Sequence, residues 1–430
     1  MVLFKIAFRN AKKDKKSTSF LFAVFFIVMF FFLALNFIMN GIEGQVTKNY
    51  VNLQSGHVAV EWDEMKQVDT MDKSKFLTSI KSFSTDEEDE DKNDASIELL
   101  NKYLESNKEK IDECFPVIKR TITYKAKNQT SVMILYGIEQ DDADYIQKKE
   151  SVIVKEGTLL SDKENAICIS EQEAESGGYH LGDTISATIL DLDNNVTDRE
   201  LTITGIYKNG AGYDNLYGYI KFDDLQDLYA YKDGYFDYMR VFLKDKKDIS
   251  EFATDLTEEL KDDTELYAEG YENASEFYMN FPNIMRMFFN VFSIVLLLII
   301  GVGVNSTVQM NLYRKLKSYG ILRATGFSKR QCFGIIFFQM LIICLFSLTI
   351  ATVVLIALVW AVNTFGDGIY VGTGVITYAV GGERFYPEVR IGNILLGVCF
   401  MGLISLLTTG KTALSVLSTD IVDLLAKRKK

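Results

Sequence analysis

Histidine is scarce in this 430-residue chain, with His57 and His180 the only two. Zinc hydrolases cluster His with Cys or carboxylates at fixed spacings, and neither an H-E-x-x-H segment nor a Cys and His cluster occurs. Cysteine is sparse as well. Cys332, Cys344 and Cys399 lie in or beside long apolar runs and read as small buried side chains. Cys114 and Cys168 remain as the one pair that could form a disulfide, which their spacing does not support. No nucleophile elbow is present. Gly410, Lys411 and Thr412 resemble the close of a phosphate-binding loop, but Ser405 stands where the first glycine is required, inside an apolar run. Asp191, Asp193 and Asn195 begin like a calcium loop, but Val196 replaces its glycine and Thr202 its closing acid. These failures leave no recognisable metal or nucleotide site, while a catalytic constellation of Ser, Lys and acid stays open.

Charge is absent from four long stretches: Ser19 to Met39, Met287 to Gln309, Phe333 to Val362, and Gly392 to Thr409 hold no Asp, Glu, Lys, Arg or His. A helix needs about 20 mostly apolar residues to cross about 30 Å of hydrocarbon, and each stretch qualifies. The first follows Lys12, Lys13, Lys15 and Lys16, as a signal peptide would, but it outruns the usual apolar core of a signal and ends in Asn36 to Asn40 without a small-residue cleavage site. It is expected to be an uncleaved span.

Basic residues in short flanks set orientation. The flank 1–17 carries +5, the loop 313–330 carries +6 and the tail 411–430 carries +3, so all three are expected in the cytoplasm. The stretch 363–391 carries −1, and with a chain total of −12 the remaining residues, 41–286, hold −25. Long domains translocate regardless of charge, so the basic flanks decide. The expected architecture is four transmembrane α-helices plus a large mixed α/β extracytoplasmic domain inserted between the first two. It divides as a cytoplasmic amphipathic helix at 1–18, spans at 19–40, 287–312, 333–362 and 392–410, the outer domain at 41–286, a cytoplasmic loop at 313–332, an outer loop at 363–391 and a tail at 411–430. Both termini then lie in the cytoplasm.

Within the outer domain, alternation predicts strands over 56–62, 184–189 and 200–207, the last two joined as a hairpin through the turn formers at 191–195. Helical spacing predicts helices over 96–107 and 248–260. The acidic run 84–92 predicts a mobile loop, because like charges repel and nothing apolar anchors it. At the N-terminus, Leu3 to Ala11 places Lys5 and Arg9 opposite an apolar face, as in a helix lying along the inner membrane surface. The plain alternative is an unstructured basic flank.

The loop after the second apolar run reads Tyr313, Arg314, Lys315, Leu316, Lys317, Ser318, Tyr319, Gly320, Ile321, Leu322, Arg323, Ala324, Thr325, Gly326, Phe327, Ser328, Lys329, Arg330, Gln331. A short amphipathic helix there, with Ile321 and Leu322 on one side and Arg323 on another, could dock in a groove of a partner, and Gly326 would let the chain turn back. This order strongly resembles the loop of the MacB, LolC, LolE and FtsX family of ABC transporter permeases, whose usual form is R-E-I-G-I-L-R-A-L-G-A-S. Residues 6–10 look like that family's elbow helix. The segments 55–58, 136–138, 156–160, 181–184 and 204–210 resemble, in order, patterns of its LolC and LolE branch. Ser318 departs from the usual Glu, and the prolines usual after the fourth span are missing.

The resemblance implies a MacB-like split outer domain, in which strands after the first span and before the second form one part and the middle another. It implies a permease that is not itself an enzyme and binds no cofactor, two copies of a separate ATP-binding subunit carrying ATP and Mg, and a second permease chain, like or unlike. The ATPase-coupling residues would be Lys315, Lys317, Tyr319, Gly320, Ile321, Leu322, Arg323, Ala324 and Gly326. Lipoprotein release from the inner membrane, with a periplasmic carrier as a further partner, is the first expected function. Peptide or toxin export, or control of cell-wall hydrolases, comes second. A membrane-anchored receptor or a membrane-bound hydrolase is the alternative from another class. Nothing points to nucleic acid.

Overall fold

The structure is a computed structural model describing residues 2–13, 15–62, 87–126, 129–190, 195–209, 217–232, 234–260, 266–273, 284–292, 295, 309–310, 313, 316–372, 377 and 380–418. The chain divides into two units. The first comprises Met1–Gly44, Asn283–Ile369 and Phe385–Lys430, and the second Gln45–Pro282 and Tyr370–Arg384.

The first unit is helical. Its elements are α1 (Val2–Lys13), the part of α2 (Lys15–Tyr50) up to residue 44, a helical segment at 284–292, and three further helices near Leu316–Ala324, Lys329–Phe365 and Ile391–Ser418. In α2 the residues Leu21, Phe25, Met29, Leu33 and Phe37 recur at one-turn spacing and are all buried. They pack on Ile336, Met340, Ile343, Cys344 and Leu348 of Lys329–Phe365. Ser347 ties the two together, its hydroxyl 3.2 Å from Phe22 O and 2.8 Å from Ile343 O. The opposite faces stay apolar: Phe20, Ile27, Phe31, Val353 and Trp360 are each at least half exposed. Water would not tolerate such a surface without a partner, whereas lipid would.

Among the described residues two helices, Thr18–Ser55 and Lys329–Phe365, are long and apolar enough to cross a membrane, and Ile391–Phe400 is a shorter apolar stretch. The expected second span lies mostly outside the described residues. At one end of the helices, Asn40 Nδ2 donates to Glu388 O at 3.2 Å, Glu388 N–H to Phe37 O at 3.0 Å, and Asn363 Nδ2 to Pro387 O at 3.1 Å. The segment 386–388 runs so close to α2 that a Cβ at Gly41 would collide with Tyr386 O.

The second unit is a mixed α/β domain around one ten-stranded sheet. Its strands are β1 (Val58–Trp62), β2 (Ile111–Ala126), β3 (Gln129–Ile138), β4 (Val152–Gly157), β5 (Ala166–Ser170), β6 (Thr184–Leu190), β7 (Val196–Asn209), β8 (Tyr217–Lys221), β9 (Tyr238–Leu243) and β10 (Leu266–Gly270). The spatial order is β10-β1-β9-β2-β3-β8-β5-β7-β4, with β6 paired to β2 and β7. Most neighbours are antiparallel, but β3 and β8, and β5 and β7, run parallel. The expected hairpin is present, with Leu190 opposite Val196. The first and last strands pair, β1 with β10, as the split domain requires, but they continue into the middle strands through β9.

Helices α3 (Glu87–Ser106), α4 (Gln140–Lys148), α5 (Glu171–Gly177), α6 (Phe222–Tyr229) and α7 (Ile249–Leu260) complete the unit. In α7 the residues Ile249, Phe252, Ala253, Leu256 and Leu260 form a single buried face. Phe252 meets Tyr103 of α3 edge to face at 5.7 Å.

The acidic run is not a loop from residue 87 onward, because Glu87, Glu88, Asp89, Glu90 and Asp91 open α3. Negative side chains are in general favoured near a helix N-terminus, so such a run does not preclude a helix. Ser84 to Asp86 lie outside the described residues. Cys114 is exposed and Cys168 buried, and both are free thiols.

Two ion pairs sit inside this unit. Arg240, on β9, reaches Asp142 of α4, and its Nη1 donates to Asn52 O at 2.7 Å in the single π-helical turn Val51–Ser55. Arg120 bonds Asp237 at 2.8 Å, while Tyr231 OH donates to the same carboxylate at 2.6 Å. Removing one partner of such a pair strands a buried charge, at a cost of about 3–5 kcal/mol.

Candidate functional site

The loop singled out by its order of residues folds as α8 (Leu316–Ala324), followed by α9 (Lys329–Phe365). Where α8 stops is set by Gly326. Phe327 N–H donates to Leu322 O at 3.1 Å and Gly326 N–H to Arg323 O at 3.1 Å, the paired bonds of a helix closed by a left-handed residue. Gly326 has φ +100°, which a side chain rarely tolerates. Two residues on, Ser328 restarts the helix. Its Oγ accepts from Gln331 N–H at 3.2 Å, and Gln331 Oε1 accepts from Ser328 N–H at 2.8 Å. This reciprocal cap starts α9 at Lys329, ahead of the expected Phe333.

The faces of α8 differ from expectation. Ile321 and Leu322 do not share a side: Ile321 is 51% exposed, while Leu322 packs beside Tyr319 on the core with Cys332 and Ile336. Successive helical residues are about 100° apart, so Tyr319 and Leu322, three apart, share the inward face. Tyr319 is 2% exposed, Gly320 is buried, and burial pushes the Tyr319 phenol up, so it stays a neutral hydroxyl. Arg323 is half-buried, and Ala324, Thr325 and Ser328 are exposed. The surface open to a partner is therefore Ser318, Ile321, Ala324 and Thr325, flanked by Arg323. Lys315 lies outside the described residues, and Lys317 is described only as a helical position in α8.

Lys5 and Arg9 are both exposed on α1, while Ala7 between them is fully buried. Phe4 meets Phe338 of α9 edge to face at 6.3 Å, which fixes α1 against the helical unit. The two basic side chains are thus held on an ordered helix. Ser328 and Gln331 belong to the quoted loop, but their role as the start of α9, signalled by the S-x-x-Q spacing, emerges only in the fold. Among the described residues no group of His, Cys, Asp or Glu could hold a metal ion.

Residues 290–420 match the family described as FtsX-like permease C-terminal, a span that takes in α8, α9 and α10 (Ile391–Ser418). No curated protein matches the chain. Solved structures show distant likenesses. The extracellular domain of the noncanonic ABC-type transporter YknZ from Gram-positive bacteria is 16% identical, covering 40% of this chain and 88% of that one, with a TM-score of 0.31. The periplasmic region of MacB from Actinobacillus actinomycetemcomitans is 13% identical, covering 51% and 94%, with a TM-score of 0.33. The family model rests on the helical C-terminal part and covers less than half of the chain. On that match residues 290–420 are similar to the C-terminal domain of FtsX-like permeases, a membrane-integral family whose ATP-binding subunit is generally a separate chain.

Proposed function

We propose that the chain is the permease subunit of an ABC transporter in which α8 receives the ATP-driven motion of a separate subunit and the outer domain does the work. One observation carries this: α8 is a helix closed at its C-terminal end that offers Ile321 and Ala324 outward beside the half-buried Arg323, while Tyr319 and Leu322 anchor it to α9. A loop that served only to fix orientation by charge would need no such construction. Two copies of the ATP-binding subunit, carrying ATP and Mg, would serve a pair of permeases, the second chain being like or unlike this one. The four charge-free runs support four spans, and the basic flanks support both termini in the cytoplasm. Lipoprotein release from the membrane is the preferred activity, on the strength of the outer-domain segments quoted above.

The test is substrate release in reconstituted liposomes together with co-purification of the ATPase. Arg323→Glu should weaken ATPase binding, since a charged hydrogen bond is worth about 1.5–3 kcal/mol and the reversal adds repulsion. Gly326→Val should bind yet fail to transmit motion, because φ +100° is closed to a branched residue. Release at the wild-type rate by both variants would sink the coupling role. Deleting 318–327 without losing the ATPase would favour a receptor.

A further inference from the structure

The uncharged run of α2 ends in amides. Asn36 and Asn40, one turn apart, line a cavity of about 150 Å³ together with Arg286 and Asn290 of the 284–292 helix and Asn393 in the first turn of α10. Leu35 and Leu396 close its apolar side.

The donors in this cavity are unequally used. Asn36 Nδ2 is committed to Phe32 O at 2.7 Å and Asn40 Nδ2 to Glu388 O. Asn393 Nδ2, by contrast, is buried with no hydrogen-bond partner. Leaving such a donor unfilled costs about 1–3 kcal/mol, so an acceptor is the natural occupant. Arg286 bonds Glu43, but the same Glu43 oxygen also takes Arg390 Nη1 at 2.6 Å. Glu388 also takes Arg390, at 3.2 Å, so Arg390 is served twice, whereas Arg286, with five N–H donors, has the shared Glu43 oxygen as its ion-pair partner. An anionic acceptor fits both features.

The surroundings choose the kind of anion. The cavity lies where the apolar stretch of α2 gives way to polar residues, the level of the headgroups if α2 crosses a membrane. Beside it Met287, Phe288, Ile391 and Leu395 are each more than half exposed. A free inorganic anion has no use for that surface, whereas acyl chains would cover it. We propose that this cavity holds the phosphodiester headgroup of one phospholipid, with Arg286 on the phosphate and Asn393 Nδ2 donating to a phosphate or ester oxygen. The proposal goes beyond the coupling function and rests only on the reading that these helices span a bilayer.

The full chain, purified in detergent without any ATPase, would be titrated with phosphatidylglycerol, with the matching diacylglycerol and with inorganic phosphate, and bound species counted by native mass spectrometry. One phosphatidylglycerol per chain is expected, with neither diacylglycerol nor phosphate retained. Asn393→Leu and Arg286→Gln should each weaken retention by roughly tenfold, the worth of one charged hydrogen bond. Arg286→Gln also unpairs Glu43 and could disturb folding, so Asn393→Leu, whose amide nitrogen has no partner to lose, carries the test by itself. Equal retention by wild type and Asn393→Leu overturns the proposal, as does diacylglycerol binding as well as phosphatidylglycerol. Phosphate that binds alone and displaces the lipid overturns it in favour of a free-anion site. With no ATPase present, failure here leaves the coupling function standing, and failure of coupling leaves this site standing.

Discussion

His57 shows what one residue does that its mere presence in the sequence does not reveal. It is 9% exposed, its Nδ1 accepts from Leu243 N–H at 2.9 Å, and its ring meets Phe242 at 5.6 Å. Burial, reinforced by the nearby Lys246, holds its pKa below the usual 6.5. Protonation would also put a hydrogen on the nitrogen that now accepts. The folded chain therefore keeps His57 neutral while the unfolded chain takes up a proton near pH 6.5. The stability this residue contributes is fully present above that pH and is lost as pH falls through 6.5 toward the lower folded value. The midpoint of thermal unfolding, followed by Trp62 fluorescence in a Trp360→Phe background, should drop more between about pH 7.5 and about pH 5.5 in the parent than in His57→Gln. Parallel slopes would show that the acid sensitivity arises elsewhere. Arg240 is the opposite case: nothing near it in sequence hints that a guanidinium 2% exposed would join Asp142, 98 positions away, to the turn that follows α2.

At the scale of the element, the two faces of α8 give separable outcomes. Ile321→Asp should leave expression and unfolding unchanged while lowering ATPase co-purification, because the side chain points away from the core. Leu322→Ala should instead destabilise the helical unit by about 1–3 kcal/mol, the worth of a largely buried leucine. Binding lost in Leu322→Ala but kept in Ile321→Asp would reverse the assigned faces. The helix itself was legible, since its glycine, basic residues and apolar pair stand in one short segment, and so were α7, the β6–β7 hairpin and the cores of α2 and α9. The facing of Ile321 and Leu322 was not, because a nine-residue helix with apolar side chains at 316, 319, 321 and 322 has no single stripe until a neighbour selects one. The start of α3 was hidden because an acidic run without apolar residues reads as a loop. The cavity beside α2 was out of reach because its asparagines come from segments about 250 and 100 positions apart and only packing brings them together.

For the whole molecule, the proposed orientation rests on the basic flanks. A cysteine placed at Asn195, in the β6–β7 turn, should react with an impermeant thiol reagent in intact cells, or in spheroplasts where an outer membrane intervenes. One placed at Ser328, between α8 and α9, should react only after permeabilisation, and labelling at Ser328 in sealed cells would invert the topology. Ser84, an equivalent outer position by sequence, lies outside the described residues. The pairing of β1 with β10 has a consequence of its own. Val58 stands opposite Gly270, and Trp62 opposite Leu266, so the long insertion leaves and returns through adjacent strands whose partner Cα atoms sit about 5 Å apart. A few linking residues would close that gap without stretching the sheet, so the sheet could travel as a cassette provided the turn Val51–Ser55, whose Asn52 carbonyl holds Arg240, travels with it.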